Sequence, residues 1–142
     1  MSQDGQELLL DTHVLIWMVE ADSRLSGTMK SLLRQGSREA RLVISAITPW
    51  EIALLVAKKR LKLKSDVQDW IDAVLALPGV RLEPLLPAIA VASTRLPWEM
   101  HSDPADRILV ATARHLGATL ITADELLLHA GAEGNLRVMA AG

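Results

Sequence analysis

Residues 101–124, HSDPADRILVATARHLGATLITAD, hold in one run most of what decides the fold. Asp103-Pro104-Ala105-Asp106 has the chemistry of a helix start: an acid able to cap, Pro at the first helical position and a second acid in the first turn. The apolar spacing that follows predicts a helix through His115, with Gly117 as its stop. Residues 119–121, TLI, then read as a short buried strand, and 122–125, TADE, open another helix. Strands that alternate with helices in this way imply βαβ units, a parallel sheet and right-handed crossovers.

The rest of the chain repeats that grammar. Residues 7–10, ELLL, are an apolar run ending at Asp11, read as a buried strand, and the spacing of Val14, Leu15, Trp17 and Met18 predicts a helix over 12–21. Residues 23–35 read as a second helix, closed by Gly36. RLVIS, at 41–45, is the next strand. Thr48-Pro49-Trp50-Glu51 then opens a helix with Pro at its first position and capping-box spacing. Another helix starts at Ser65 or Asp66, runs through Trp70 to Leu77 and stops at Pro78-Gly79. A strand at 80–83, a helix over 87–95 and a last strand at 136–139 complete a three-layer α/β/α domain with a central parallel sheet.

The chain has 142 residues and no internal repeat or Gly/Ser-rich linker, which suits one domain over residues 1–142. A domain of that size buries roughly 68–70% of the surface its unfolded chain exposes. With no Phe or Tyr the core must be aliphatic, and Trp17, Trp50, Trp70 and Trp98 supply the only large rings. The absence of cysteine excludes disulfides and thiolate-bound zinc. The start, MSQDGQ, has no positive stretch before its apolar run, and no run of about 18 apolar residues is present to span a bilayer. A soluble cytoplasmic protein without membrane association is expected. The net charge of −2 argues against a protein that holds nucleic acid by charge alone.

The placement of the carboxylates carries the functional reading. Asp11 and Asp124 directly follow strands, Glu51 enters the helix after the second strand, and Asp106 occupies the same kind of position after a loop. Groups just beyond the carboxyl ends of parallel strands converge on a crevice at the topological switch point. Each acid alone has a plainer explanation as a cap or a partner of the helix dipole. Asp11 resists it, since a charge between an apolar strand and an apolar helix is costly without a partner. Four converging anions repel, a pair ~4 Å apart by about 4 kcal/mol at an effective dielectric near 20. A divalent cation resolves that repulsion, and hard oxygen ligands select Mg²⁺ or Mn²⁺ over zinc or copper. Such an ion binds phosphate oxygens and lowers the pKa of a bound water.

Around these acids, Thr12 and Thr122 either orient a water or a carboxylate, or, for Thr122, cap the helix at 122–125. His13, His101, His115 and His129 are scattered without metal-protease spacing. His101 is either a substrate contact or a surface loop residue. Lys58, Lys59, Arg60, Lys62 and Lys64 either complement a helix C-terminus or form a phosphate-tracking face.

LLLDTHVLIW (8–17), SAITPWEIALLVAKKRLKL (45–63) and residues 101–124 together resemble the PIN domain, in particular the VapC-like toxin nucleases of bacterial toxin–antitoxin pairs. The resemblance extends from about residue 8 to 124. It implies an α/β/α domain that cuts single-stranded RNA with Mg²⁺ or Mn²⁺. On its motifs Asp11, Glu51, Asp106 and Asp124 are the four catalytic, metal-binding acids. Asp103 is an extra acid, and Asp106 is favoured as the ligand because it directly precedes the ILVATA run. A metal-activated water would then attack phosphorus and leave a 5′-phosphate, while Arg107 contacts phosphate or pairs with an acid. The resemblance also implies a cognate antitoxin whose tail fills a groove on the toxin, with Trp17 and Trp50 as lining or core, and a homodimer. The competing reading is a PIN-like module that binds RNA or protein without cutting. A receiver domain would need paired acids after the first strand, and a haloacid-dehalogenase-type phosphatase would need DxD there, where this chain has DTH.

Overall fold

The computed structural model describes residues 6–134 and 136–142; residues 1–5, most of the start that argued against a signal peptide, lie outside them. The described elements run β1 (Leu8–Leu10), α1 (Thr12–Val19), α2 (Gly27–Arg38), β2 (Leu42–Ser45), α3 (Ile47–Ala57), α4 (Val67–Leu75), β3 (Val80–Glu83), α5 (Pro87–Ser93), α6 (Pro104–Leu116), β4 (Thr119–Thr122), α7 (Glu125–Ala132) and β5 (Val138–Ala140). The strands are all parallel and lie in the order β3-β2-β1-β4-β5. The expected α/β/α architecture is therefore present.

β1, β2 and β4 are buried along their whole length, which is why they read as unbroken apolar runs rather than alternating ones. Successive side chains serve opposite faces. Leu8, Leu10, Leu42, Ile44 and Ile121 pack on one side with Val14 and Leu15 of α1, Met29 and Leu33 of α2, Ile52 of α3 and Trp70 and Val74 of α4. Leu9, Val43 and Leu120 pack on the other with Leu109, Val110 and Ala113 of α6 and Leu127 of α7. The half-exposed strands β3 and β5 form the sheet edges. Among the described residues no helix is long and apolar enough to cross a membrane.

Several boundaries differ from the sequence expectation. α1 ends at Val19, and α5 at Ser93. α2 is capped by Ser26, whose hydroxyl accepts from the Met29 N–H, and it runs through Gly36 to Arg38. Gly36 is no stop: a Cβ there would lie 2.8 Å from Leu42 and 3.2 Å from Leu8, so its missing side chain lets the helix approach the sheet. α3 begins at Ile47, before Pro49, without a side-chain cap at its Ala46 start. The expected capping box is absent. Ser45 Oγ instead accepts the Ile47 N–H, while Thr48 Oγ1 is buried with no partner among the described residues. The last strand lies at 138–140 rather than 136–139.

Chain order outward from β1 to β2 and β3, then back to β4 beside β1, makes the β1–β4 gap the topological switch point. Leu10 pairs with Ile121 across it, and the Asp11 N–H donates to the Ile121 carbonyl at 3.0 Å. The carboxyl ends of these two strands are where a crevice is expected.

Candidate active site

Asp11 is the first residue beyond β1 and the N-cap of α1, and only 8% of its surface is exposed. Its Oδ1 accepts the Thr12 backbone N–H at 2.7 Å. Its Oδ2 accepts the Thr122 hydroxyl, also at 2.7 Å. Both oxygens are thus held by groups at the ends of the two central strands. The buried threonine Thr122 also accepts the Asp124 N–H at 3.0 Å. It therefore spans two acids and does not cap the next helix; Asp124 does that, accepting from the N–H groups of Leu126 and Leu127.

Thr12 performs the matching task on the other side. Its hydroxyl donates to Glu51 Oε1 at 2.6 Å, tying the start of α1 to the second turn of α3. A short chain of hydrogen bonds runs from the Asp124 amide through Thr122 and Asp11 to Thr12 and Glu51.

Asp106 enters from α6. Asp103 is exposed and acts as the helix cap, accepting the Asp106 N–H at 3.1 Å, whereas the Asp106 carboxyl is half-buried and within electrostatic reach of Asp11 and Asp124. His101 Nε2 stands 2.7 Å from Asp106 Oδ2. Sequence reasoning left that contact out, because a loop of unknown path separates His101 from the helix start. Among the described residues Arg107 forms no ion pair with an acid. Its Nε donates to the Ser93 carbonyl at 2.8 Å and its Nη1 to the Met100 carbonyl at 3.1 Å.

The electrostatics follow from burial and crowding. Burial raises the Asp11 carboxyl above its ordinary value, with Asp124 adding to the rise and the Thr122 bond opposing it. Burial also pushes Glu51 up to about 7, helped by the charges of Asp11, Asp106 and Asp103 and opposed by Thr12. Asp106 is raised by burial and by Asp103, Asp11 and Asp124, against the His101 bond. Asp11 and Asp106 therefore lie within electrostatic reach of each other, and each is within reach of both Glu51 and Asp124. Among the described residues no Lys or Arg forms an ion pair with any of them.

Whether a divalent cation suits this set is decided by its donors. They are all carboxylate oxygens, hard ligands of the kind Mg²⁺ and Mn²⁺ prefer. No group of three or more such donors among the described residues is already gathered at metal-ligand spacing. Mg²⁺ in general takes one or two protein carboxylates and keeps several waters. Crowded anions short of positive charge fit the group.

Trp50 is 54% exposed on α3, and the half-buried Trp17 lies under the Arg24 guanidinium, 4.7 Å from its ring centre. Neither lines the apolar groove of about 460 Å³ between Met18, Val19, Leu25, Leu33, Leu77 and Val80. The basic run is exposed at Lys58, Lys59, Arg60, Lys62 and Lys64, while Leu61 and Leu63 between them pack on the core.

Comparison with known proteins gives the following likenesses. The PIN domain profile matches residues 8–133. Ribonuclease VapC22 of Mycobacterium tuberculosis (strain ATCC 25618 / H37Rv) is 32% identical over 120 residues, covering 84% of this chain and 88% of that protein. A chain in the crystal structure of VapBC2 from Rickettsia felis bound to a DNA fragment from their promoter superposes with a TM-score of 0.71 at 17% identity, over 95% of this chain and 98% of that one. At that identity the likeness speaks for the fold alone. A chain of a toxin–antitoxin complex from Klebsiella pneumoniae is 25% identical, with a TM-score of 0.53 over 83% of this chain and 87% of its own.

Proposed function

The chain belongs to the PIN-domain family, and from that premise we propose that it is a VapC-like ribonuclease toxin that cuts single-stranded RNA with Mg²⁺ or Mn²⁺. The observation that carries this reading is the hydrogen-bonded chain linking Asp11, Glu51 and Asp124 at the β1–β4 switch point, with Asp106 within electrostatic reach of Asp11 and Asp124. The 32% identity to a protein named a ribonuclease supplies the reaction class.

In this reading Asp11 and Asp106 hold the cation, with Glu51 and Asp124 alongside. The ion supplies positive charge that binds phosphate oxygens and acidifies a bound water. Thr122 and Thr12 restrain the carboxylates, so little reorganisation is needed when substrate arrives. Glu51 Oε1 is occupied by the Thr12 hydroxyl, which leaves Oε2 as the atom to take a proton from the attacking water. A carboxyl at about 7 suits that exchange near neutral pH. The water oxygen bonds to phosphorus as the bond to the 3′-oxygen breaks, and that oxygen takes a proton from solvent, so the products are a 5′-phosphate and a 3′-hydroxyl.

The partners in this proposal are RNA, a cognate antitoxin and a second copy of the chain, in the cytoplasm. The likeness to a toxin–antitoxin complex supports the antitoxin, and the apolar groove beside α1 and α2 suits an apolar tail.

The test is purified protein with single-stranded RNA and Mg²⁺, beside an Asp11→Asn variant. Cleavage abolished both by EDTA and by the substitution is expected. RNA bound tightly but left uncut under Mg²⁺ and Mn²⁺ alike would replace the nuclease by a binding module.

A further inference from the structure

We infer that His101 is a positioning residue of the acidic site: it fixes the Asp106 carboxylate by a hydrogen bond to Oδ2 and is itself held in place by Arg107. The inference rests on Asp106 being a ligand, as proposed above.

An aspartate in the first turn of a helix has two side-chain torsions to settle. The Asp106 backbone is settled by Asp103, whose carboxylate accepts its N–H at 3.1 Å. That bond leaves the Asp106 side chain free. Thr12 and Thr122 restrain Glu51 and Asp11, but neither reaches Asp106. His101 supplies the missing restraint at 2.7 Å. An ionised carboxylate only accepts, so the hydrogen lies on Nε2 and the imidazole donates. Among the described residues no other side chain bonds that carboxylate, which leaves Oδ1 for a ligand.

His101 stands on the connection between α5 and α6, where nothing regular fixes the backbone. Arg107 fixes it. Its guanidinium grips the Ser93 carbonyl at the end of α5 and the Met100 carbonyl immediately before His101. Asp103 fixes the far side by capping α6. The DPADR run thus gains a job for each polar member: cap, ligand and clamp, with His101 held between clamp and cap. Outer partners of this kind orient metal ligands, and their loss typically costs roughly 10–100-fold in metal affinity or activity.

His129 provides the contrast within the same chain. Its side chain is 74% exposed, and its ion pair is with Glu133, the C-cap of α7.

The experiment is calorimetric titration of the full chain with Mn²⁺, comparing wild type, His101→Ala, His101→Gln, His129→Ala and Asp106→Asn. Affinity is expected to fall roughly 10–100-fold in His101→Ala. The Gln side chain offers an N–H at about the reach of Nε2, so His101→Gln should recover most of that loss. His129→Ala should match wild type. Thermal melts without metal should leave His101→Ala close to wild type, separating positioning from folding. If His101→Ala binds Mn²⁺ like wild type while Asp106→Asn does not, the inference fails and the metal site stands. If His101→Gln is as weak as His101→Ala, the hydrogen bond is not the cause and the inference fails too. If wild type binds no Mn²⁺, the ligand role of Asp106 falls and takes the inference with it.

Discussion

Asp11 has a carboxylate that burial resists, held by two hydrogen bonds. Asp11→Asn should therefore abolish cleavage yet leave the metal-free chain as stable or more so, by a few degrees in Tm, which a melt in EDTA would read. A fall of more than about 3 °C would show that the charge itself holds the fold. Glu51 sets a pH dependence. Its folded-state carboxyl, near 7, lies above the ordinary value of 4.5, so the native state binds the proton more tightly than the unfolded chain does. The corresponding stability is fully present below pH 4.5 and is lost as pH rises to about 7. Cation binding should strengthen over that same window. Thr12→Val removes the hydroxyl that favours the ionised form, so the midpoint of Mn²⁺ affinity against pH should move upward. At this scale the sequence was informative about which acids flank the sheet, since Asp11 follows an unbroken apolar run. It was silent on what Thr122, His101 and Arg107 touch, because those contacts cross between elements far apart in the chain or in a loop.

Elements were legible where local chemistry decides them and misread where packing does. The α6 start and stop were both signalled, by Asp103-Pro104 and by Gly117 in the left-handed region at φ 63°. Gly36 misled because it mimics a stop, while its real task is the close passage of α2 over Leu8 and Leu42. The capping-box spacing at Thr48 to Glu51 misled because Glu51 turns toward Thr12 instead. Gly79 is a place where the backbone leaves no choice. It has φ 76°, and a Cβ there would come within 1.8 Å of the Ser37 carbonyl oxygen, where the turn before β3 meets the end of α2. The Ser37 hydroxyl already donates to the Pro78 carbonyl at this contact. Gly79→Ala should cost at least the roughly 1–3 kcal/mol of a strained left-handed residue, and more from the clash. Urea denaturation would measure it, and an unchanged midpoint would show that the two turns part easily.

For the whole molecule, alternating strands and helices foretold a parallel sheet, but not the order β3-β2-β1-β4-β5. That order is what sets Asp11 beside Thr122 and makes the β1–β4 gap the candidate site. The convergence of Asp106, inferred from a helix start alone, depends on how α6 packs across Leu109 and Val110 on the sheet. A cation that joins four elements should stabilise the whole fold. At about 100 times its dissociation constant a ligand adds about 2.7 kcal/mol, which in a chain of this size corresponds to roughly 5–10 °C in Tm. Scanning calorimetry with and without Mg²⁺ should show that rise in wild type and not in Asp11→Asn. The central claim, that these four carboxylates form one divalent-metal site, is tested most directly by anomalous diffraction from crystals soaked in Mn²⁺. A peak within direct coordination distance of carboxylate oxygens of Asp11 and Asp106, with Glu51 and Asp124 around it, is the expected result. A fully soaked crystal with no peak among the four acids, or with its peak elsewhere on the surface, would contradict it.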